Sequence, residues 1–516
     1  MSGLAPTIMV QGTASSAGKS LLVTALCRFF RREGLRVAPF KSQNMSLNSA
    51  VTAEGLEIGR AQAVQAEASG ILSSVDMNPI LLKPEGDRRS QVVVQGKPIG
   101  SMSAMEYHDY KPCLMPVIEE SLTRLRTDHD LVVIEGAGSP AEINLKDRDI
   151  VNMYVAKLAD APVLLVGDID RGGVFASFVG TMELLEPEER ARIAAFVVNK
   201  FRGDLALLTP GLDFLTERTG KPMLGVVPYI KDLRIADEDS VSLEARMARR
   251  RPSKQELDIV VVRLPHISNY DDVEALEHET GVVVRFVGQP DDIAGADLVI
   301  LPGSKNTVAD LAWLRASGLA IAIEARAKEG QPLLGICGGC QMLGDVIDDP
   351  HGVESSEVQV RGLGLLALRT SFEREKMTAQ VVAHVLRPSF LTDGAALDEE
   401  IRGYEIHMGM VEPGNRQASP FEIRSRNGRA EVRSDGAIGR EGLVVGTMLH
   451  GLFENDSLRA RTLSFLRRRK GLSAPASIQR IPSKQDEYDR LESVVRAHID
   501  CELLWRLTGL CSVSPR

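Results

Sequence analysis

Two short runs carry residues whose types and spacing can do chemistry. The first is Gly12-Thr13-Ala-Ser-Ser-Ala-Gly18-Lys19-Ser20. Its glycines let backbone N–H groups close on an anion, and the helix predicted over 18–33 would aim its N-terminus at the same point. Lys19 can neutralise phosphate oxygens, and the Ser20 hydroxyl is of the kind that ligates Mg²⁺ beside a bound triphosphate. Gly12, Thr13, Gly18, Lys19 and Ser20 are therefore the nucleotide-binding candidates. Five residues separate Gly12 from Gly18, one more than in the common phosphate loop. A Gly/Ser-rich turn beside a surface lysine is the competing reading; the apolar run before the loop and the helical pattern after it favour the triphosphate.

The second run is Gly335-Ile-Cys337-Gly338-Gly339. A nucleophile flanked by small residues, between an apolar strand and a helix, is held on a sharp turn that exposes its side chain. The helix N-terminus lowers the thiol pKa. The Gly338 N–H can receive an oxyanion, and a second donor is available at Gly303 in Pro302-Gly303-Ser304. A base is required, and His450 follows the apolar run Leu443–Leu449. His407, in Gly403-Tyr-Glu-Ile-His407, competes for that role, but its segment reads as a strand facing substrate or the other half of the chain. Cys337 and Cys340 form a C-x-x-C pair; no second pair exists to complete a zinc site, and Cys340 reads as a small buried residue.

These runs need a scaffold. Apolar runs at 7–12, 36–40, 131–135, 162–167, 193–198 and 223–227 alternate with helical patterns, which predicts a parallel α/β sheet covered on both faces. A second series begins at 257 and continues at 282–287, 298–301 and 333–336, with extended segments at 363–369, 379–386 and 442–449. The predicted organisation is an α/β phosphate-loop domain over 1–230, a charged linker over 231–256, a second α/β domain over 257–456 and a helical tail over 457–516. Lys41, Glu135 and Asn199 each end a predicted strand of the first series, where open α/β sheets gather ligands. Glu135 is placed to bind Mg²⁺ with Ser20, and Asn199 to read an adenine edge. Their bland alternatives are a surface lysine, a turn cap and a turn former.

Composition narrows the classes. The chain has 516 residues, a net charge of −9, 44% hydrophobic and 25% charged residues, as expected of globular domains. The acidic balance and 4% aromatic content argue against nucleic acid and anionic membranes as partners. No apolar run reaches membrane-spanning length, and the N-terminus has no signal-peptide pattern. Six scattered cysteines are cytoplasmic usage, with reduced thiols. Monomer and homo-oligomer are both open.

The lengthened phosphate loop with Lys41, Glu135 and Asn199 resembles the dethiobiotin-synthetase-like branch of P-loop proteins, which activate carboxylates with ATP. The elbow and His450 resemble the class I glutamine amidotransferase domain, whose cysteine forms a thioester with glutamine and frees ammonia. That family places a glutamate two residues after the histidine; here Leu452 stands there, and Glu454 is the nearby replacement. The gap resembles the cobalamin-pathway branch, which has the Cys–His pair alone. Pro39-Phe-Lys-Ser-Gln-Asn-Met-Ser-Leu-Asn48-Ser49, Gly167-Asp-Ile-Asp-Arg171-Gly-Gly173 and Gly403-Tyr-Glu-Ile-His-Met-Gly409, with both motifs, are similar to the cobyric acid synthase family over nearly the whole chain. The resemblance implies glutamine- and ATP-dependent amidation of the b, d, e and g carboxylates of a corrinoid, with Mg²⁺. It makes Lys41, Gln43, Asn44, Asn48 and Arg171 the substrate contacts; Asp168 and Asp170 rank below Glu135 as metal ligands. Three alternatives compete: the sister enzyme that makes the a,c-diamide, CTP synthase, and a ParA/MinD-like regulatory ATPase that would leave Cys337 and His450 unexplained.

Overall fold

The computed structural model describes residues 3–86, 88–235, 251–396, 398–414, 417–473 and 483–510. Its first half is built on a six-stranded parallel sheet in the order Met223–Pro228, Ile193–Phe201, Val163–Asp168, Thr7–Gly12, Leu131–Glu135, Val37–Phe40. Every residue of Thr7–Gly12 and of Leu131–Glu135 is buried, because helices cover both faces. The N-terminal strand is central, so its C-terminal end opens at the switch in strand order, flanked by the ends of Leu131–Glu135 and Val163–Asp168. The helix Lys19–Arg32 starts there, after Gly18 in the left-handed conformation.

Residues 43–103, where apolar periodicity is weak, form a four-stranded sheet (Gln43–Met45, Ile80–Pro84, Arg89–Val94, Lys97–Ser103), the pair Ser49–Val51 and Glu57–Gly59, and the helix Arg60–Ser69. This insertion faces the second half of the molecule.

The second half has its own sheet, in the order Val282–Val287, Leu257–Val262, Leu298–Leu301, Leu333–Ile336, Val444–Thr447, Ala437–Gly439, with the last strand antiparallel. Beside it lies an antiparallel layer that includes the long strands Leu368–Val385 and Glu400–Pro413. The two halves meet through buried charge: Lys83 lies 2.7 Å from Glu57, and Lys376 reaches the same carboxylate from the second half. Lys305 also crosses, to Glu85, at 2.8 Å.

The helices after residue 455 divide between the halves. Asp456–Lys470 packs Leu458, Leu463 and Leu466 into the core of the second half. Lys484–Ala497 and Cys501–Thr508 return to the first half and join the core beneath its first helix. Trp505 meets Phe30 edge-on with ring centroids 5.3 Å apart, and Arg28 pairs with Asp489 at 2.8 Å. Gly225 bridges to Ile499; a Cβ at Gly225 would come 2.1 Å from the His498 carbonyl, so only glycine fits. Of the 231–256 segment, residues 236–250 lie outside the described residues. No helix among the described residues is long and apolar enough to cross a membrane.

Because Trp505 completes the packing under the first helix, Trp505→Ala should destabilise the first half by about 3–5 kcal/mol. Chemical denaturation followed with a bound fluorescent nucleotide checks this.

Candidate active sites

At the phosphate loop, backbone and side chains build a closed cradle. Gly18 has φ +94°, and a Cβ there would lie 2.1 Å from Asn199 Nδ2. Asn199 is pressed onto the loop: its Nδ2 donates to the Ala17 carbonyl at 2.9 Å, and its Oδ1 accepts from the Lys200 N–H. Lys200 donates to the Ser16 carbonyl and to Asp168, each at 2.8 Å. Asn199 and Lys200 therefore brace the loop, and Asp168 is occupied with a lysine. Lys19 curls over the crown, donating to the carbonyls of Ala14 and Gly138 at 3.2 Å.

Glu135, fully buried, is the hub of the site. Its Oε1 accepts from Ser20 Oγ at 2.8 Å and from Lys41 Nζ at 2.9 Å; its Oε2 accepts from Gln65 Nε2 at 2.5 Å. Mg²⁺ prefers oxygen ligands and takes one or two protein groups beside substrate phosphates. Ser20 and Glu135 at hydrogen-bond distance, facing the loop, fit that need. No group of three or more His, Cys, Asp or Glu among the described residues forms an all-protein cage.

The corrinoid-contact candidates separate. Lys41 is held on Glu135. Asn44 donates to Gln62 at 3.1 Å, and Gln43 accepts from the Tyr107 hydroxyl at 2.5 Å. Asn48 is 1% exposed, and neither atom of its amide has a partner among the described residues. Arg171 stands apart on the turn after Val163–Asp168, largely exposed and 3.7 Å from Asp168.

The second site forms at the other parallel sheet. Cys337 ends Leu333–Ile336 with φ +50° and ψ −110°, a strained conformation for a side-chain-bearing residue. Small neighbours are required: a Cβ at Gly335 would meet the Gly339 carbonyl at 2.7 Å, and one at Gly339 the Leu301 carbonyl at 2.0 Å. Gly303 and Gly338 converge on the elbow. A Cβ at Gly338 would lie 2.8 Å from Ser304 N, and one at Gly303 would lie 3.1 Å from His450 Cε1. The thiol reaches the Ile406 carbonyl at 3.6 Å. Cys340 is fully buried and free, and a Cβ at Gly446 would touch its sulfur at 2.7 Å, so it is a packing residue. His407 lies 3.6 Å from Glu405, which is paired with Arg426 at 2.7 Å.

The orienting carboxylate is neither missing nor Glu454. Asp272 Oδ2 lies 2.7 Å from His450 Nδ1, and Asp272 Oδ1 accepts from the Gly451 N–H at 2.7 Å. Glu454 instead pairs with Lys484 at 2.8 Å, half-exposed. The short run Ile267–Ser268 and the turn at Asn269, which has φ +51°, carry Asp272 to the histidine. Burial alone would lower the His450 pKa. The Asp272 carboxylate and Cys337 outweigh it and push the imidazole up to about 10. That raised basicity suits the ring to take the Cys337 proton, with Nδ1–H fixed on Asp272 and Nε2 left for sulfur. Sequence reasoning missed Asp272 because 178 residues separate it from His450. The signal available was the acidic pair Asp271-Asp272 just after the strand Leu257–Val262.

Residues 258–458 match the CobB/CobQ-like glutamine amidotransferase domain, and residues 8–243 match the CobQ/CobB/MinD/ParA nucleotide binding domain. A cobyric acid synthase of Sorangium cellulosum is 64% identical, aligned over 98% of this chain and 99% of its own. The chain belongs to the cobyric acid synthase family. The cobyric acid synthase of Dehalococcoides mccartyi strain CBDB1 is 52% identical over 98% of this chain and 99% of its own. That of Desulforamulus reducens is 50% identical over 99% and 100%. The fold class is thus a P-loop α/β domain followed by a class I amidotransferase-like α/β domain, and this pair of domains in the family implies ATP, Mg²⁺ and glutamine.

A raised imidazole pKa fixes the direction of pH dependence. The ion pair contributes fully below the unfolded value of 6.5 and is lost as pH rises through about 10. Asp272→Asn should lower glutamine hydrolysis by roughly 10²–10⁴-fold and move its alkaline loss to lower pH. Amide synthesis from added ammonium should persist. Rate–pH profiles with each nitrogen source check both.

Proposed function

We propose that the enzyme converts adenosylcobyrinic acid a,c-diamide to adenosylcobyric acid, amidating the b, d, e and g side chains. The coarser statement follows from family membership: it is a glutamine-dependent, ATP-driven amide ligase acting on corrinoid carboxylates. The coexistence of a Cys337–His450–Asp272 constellation with a phosphate loop backed by Glu135 supports the coupled chemistry. The observation that carries the finer reading is the 50–64% identity, over nearly the whole chain, to proteins named cobyric acid synthase.

In the second half, Cys337 Sγ adds to the side-chain carbonyl of glutamine as its proton passes to His450. The oxyanion lies against the backbone of Gly338 and Gly303. The His450 imidazolium gives its Nε2 proton to the departing nitrogen, and ammonia leaves. Neutral His450 then draws a proton from water as water cleaves the thioester, which releases glutamate and restores the thiol.

In the first half, a corrinoid carboxylate oxygen takes the terminal phosphoryl group of ATP, and ADP departs. Ammonia adds to the acyl carbon and phosphate leaves, giving the amide. Lys19 and the N–H groups of the loop, Gly12 and Thr13 included, offset the charge on the transferring group. Bound at Ser20 and Glu135, Mg²⁺ would supply further charge neutralisation at the phosphates. Lys41, which follows the strand Val37–Phe40, and Gln43, Asn44 and Asn48 of the insertion are the proposed corrinoid contacts. Arg171, exposed at the loop rim, is placed to meet an outlying carboxylate. Free thiols at the described cysteines support a cytoplasmic setting. A regulatory ATPase of the ParA/MinD kind would have no use for the strained elbow.

The test incubates the a,c-diamide with ATP, Mg²⁺ and glutamine and counts carboxylate-to-amide conversions by mass; four are expected, and none would overturn the proposal. Cys337→Ala should abolish glutamine use and leave ammonium-driven synthesis. Lys19→Ala should stop both, and release of ammonia without amide product would favour another acceptor.

A further inference from the structure

The glutamine site does not consist of the second half alone. Arg60, the first residue of the helix Arg60–Ser69 in the first half, reaches across the interface. Its Nη2 lies 2.6 Å from Asp271 Oδ2 and donates to the Tyr404 hydroxyl at 2.6 Å. The Asn269 amide donates to the same hydroxyl at 3.1 Å. The Tyr404 ring stacks on His450 with centroids 5.2 Å apart and planes 15° from parallel. The two residues also exchange backbone hydrogen bonds of 2.9 and 3.2 Å.

Asp271 precedes the carboxylate that orients His450. Two adjacent buried acids repel, and an unneutralised one would either take up a proton or compete for the imidazolium. Burial raises the Asp271 pKa and Arg60, 2.6 Å away, works against that rise, while Asp272 faces His450; Glu454 adds like charge nearby. Arg60 thus occupies Asp271 and at the same time holds the tyrosine flat against the ring.

We propose that Arg60 of the phosphate-loop half is a positioning residue of the glutaminase, fixing His450 through Tyr404 and leaving Asp272 as its single carboxylate partner. This rests on the reading of Cys337 and His450 as the glutaminase pair. Arg60 contacts Asp271 and the Tyr404 hydroxyl, so its effect on His450 runs through the ring. The glutaminase is complete only when the halves are docked. The same helix, about 15 Å long at 1.5 Å per residue, places Gln65 on Glu135, so one rigid element touches both sites.

The experiment uses the full-length enzyme with Arg60→Ala, Arg60→Lys and Tyr404→Phe. Glutamine-driven and ammonium-driven amidation are measured separately, with kcat and KM for glutamine and the alkylation rate of the Cys337 peptide followed by mass. Arg60→Ala should lower glutamine kcat by about 10–100-fold, the size of loss that misplacement of a catalytic group produces. KM should change little and ammonium-driven synthesis should stay near wild type. Alkylation of Cys337 should slow, and Arg60→Lys should recover part of the loss. Tyr404→Phe, which removes one oxygen from the ring, should lose several-fold in the same pattern and keeps the test decisive if Arg60→Ala misfolds. A wild-type glutamine rate in Arg60→Ala overturns the proposal. So does equal loss with both nitrogen sources, which would mark a structural residue. Glutamine use surviving Cys337→Ala would instead sink the glutaminase reading beneath it.

Discussion

Two lysines from opposite halves of the molecule share one buried carboxylate, and the arrangement of both sites depends on that contact. Glu57 and Lys83 belong to the insertion of the first half, and Lys376 to the long strand Leu368–Val385 of the second. Burial alone would raise the Glu57 pKa; Lys376 and Lys83 overcome it and hold the carboxyl well below the usual range. A charge buried this deeply is tolerated only with its partners in place, and removing one partner of such a set commonly costs about 3–5 kcal/mol. The halves are thereby held in one register. Within it, Lys376 also meets Gln91, and the strand Ser49–Val51 comes to rest against Asn269.

That register answers a chemical constraint. Ammonia attacks an activated acyl group only while unprotonated, so it is best made and used inside one assembly shielded from bulk water. A strained elbow on one sheet and a phosphate cradle on the other would be of little use if they drifted apart. The insertion at residues 43–103 fills the space between them. It presents Asn48, whose side-chain amide lacks a partner among the described residues, and Gln62, whose Nε2 lacks one while its Oε1 accepts from Asn44. It also presents the helix Arg60–Ser69 to both sides.

The parts written in local sequence were legible. The phosphate loop announces itself by glycines at a fixed spacing before Lys19-Ser20, and the elbow by small residues around Cys337, because backbone strain at these turns restricts which residues fit. Apolar runs marked the parallel strands for the same local reason. What was not legible depends on approach in space. Asp272 replaces a glutamate that the chain lacks at 452, from a turn far away in sequence. Asn199, at a strand end that suits base recognition, also donates its amide to the loop carbonyl of Ala17, a brace that no local pattern shows. The helical patterns near 271–279 and 306–327 are realised as a 3₁₀ turn with one short helix and as two consecutive helices. Residues 484–508 fall in the helical tail predicted over 457–516, and what its few apolar positions did not reveal is that Trp505, Leu504 and Leu491 bury one face in the core of the first half.

The return of the last two helices to the first half makes the second half a nested unit rather than a bead at the end of a string. Described residues 251–473 belong to it, and the described chain up to residue 235 and from residue 483 belongs to the same neighbour. A guest domain with two covalent crossings cannot swivel as a singly tethered one can, and inter-domain rotation is otherwise the default for contacts between domains. Parting the charged seam would leave the second half still held at both ends, so rotation between the two chambers is restrained at two points.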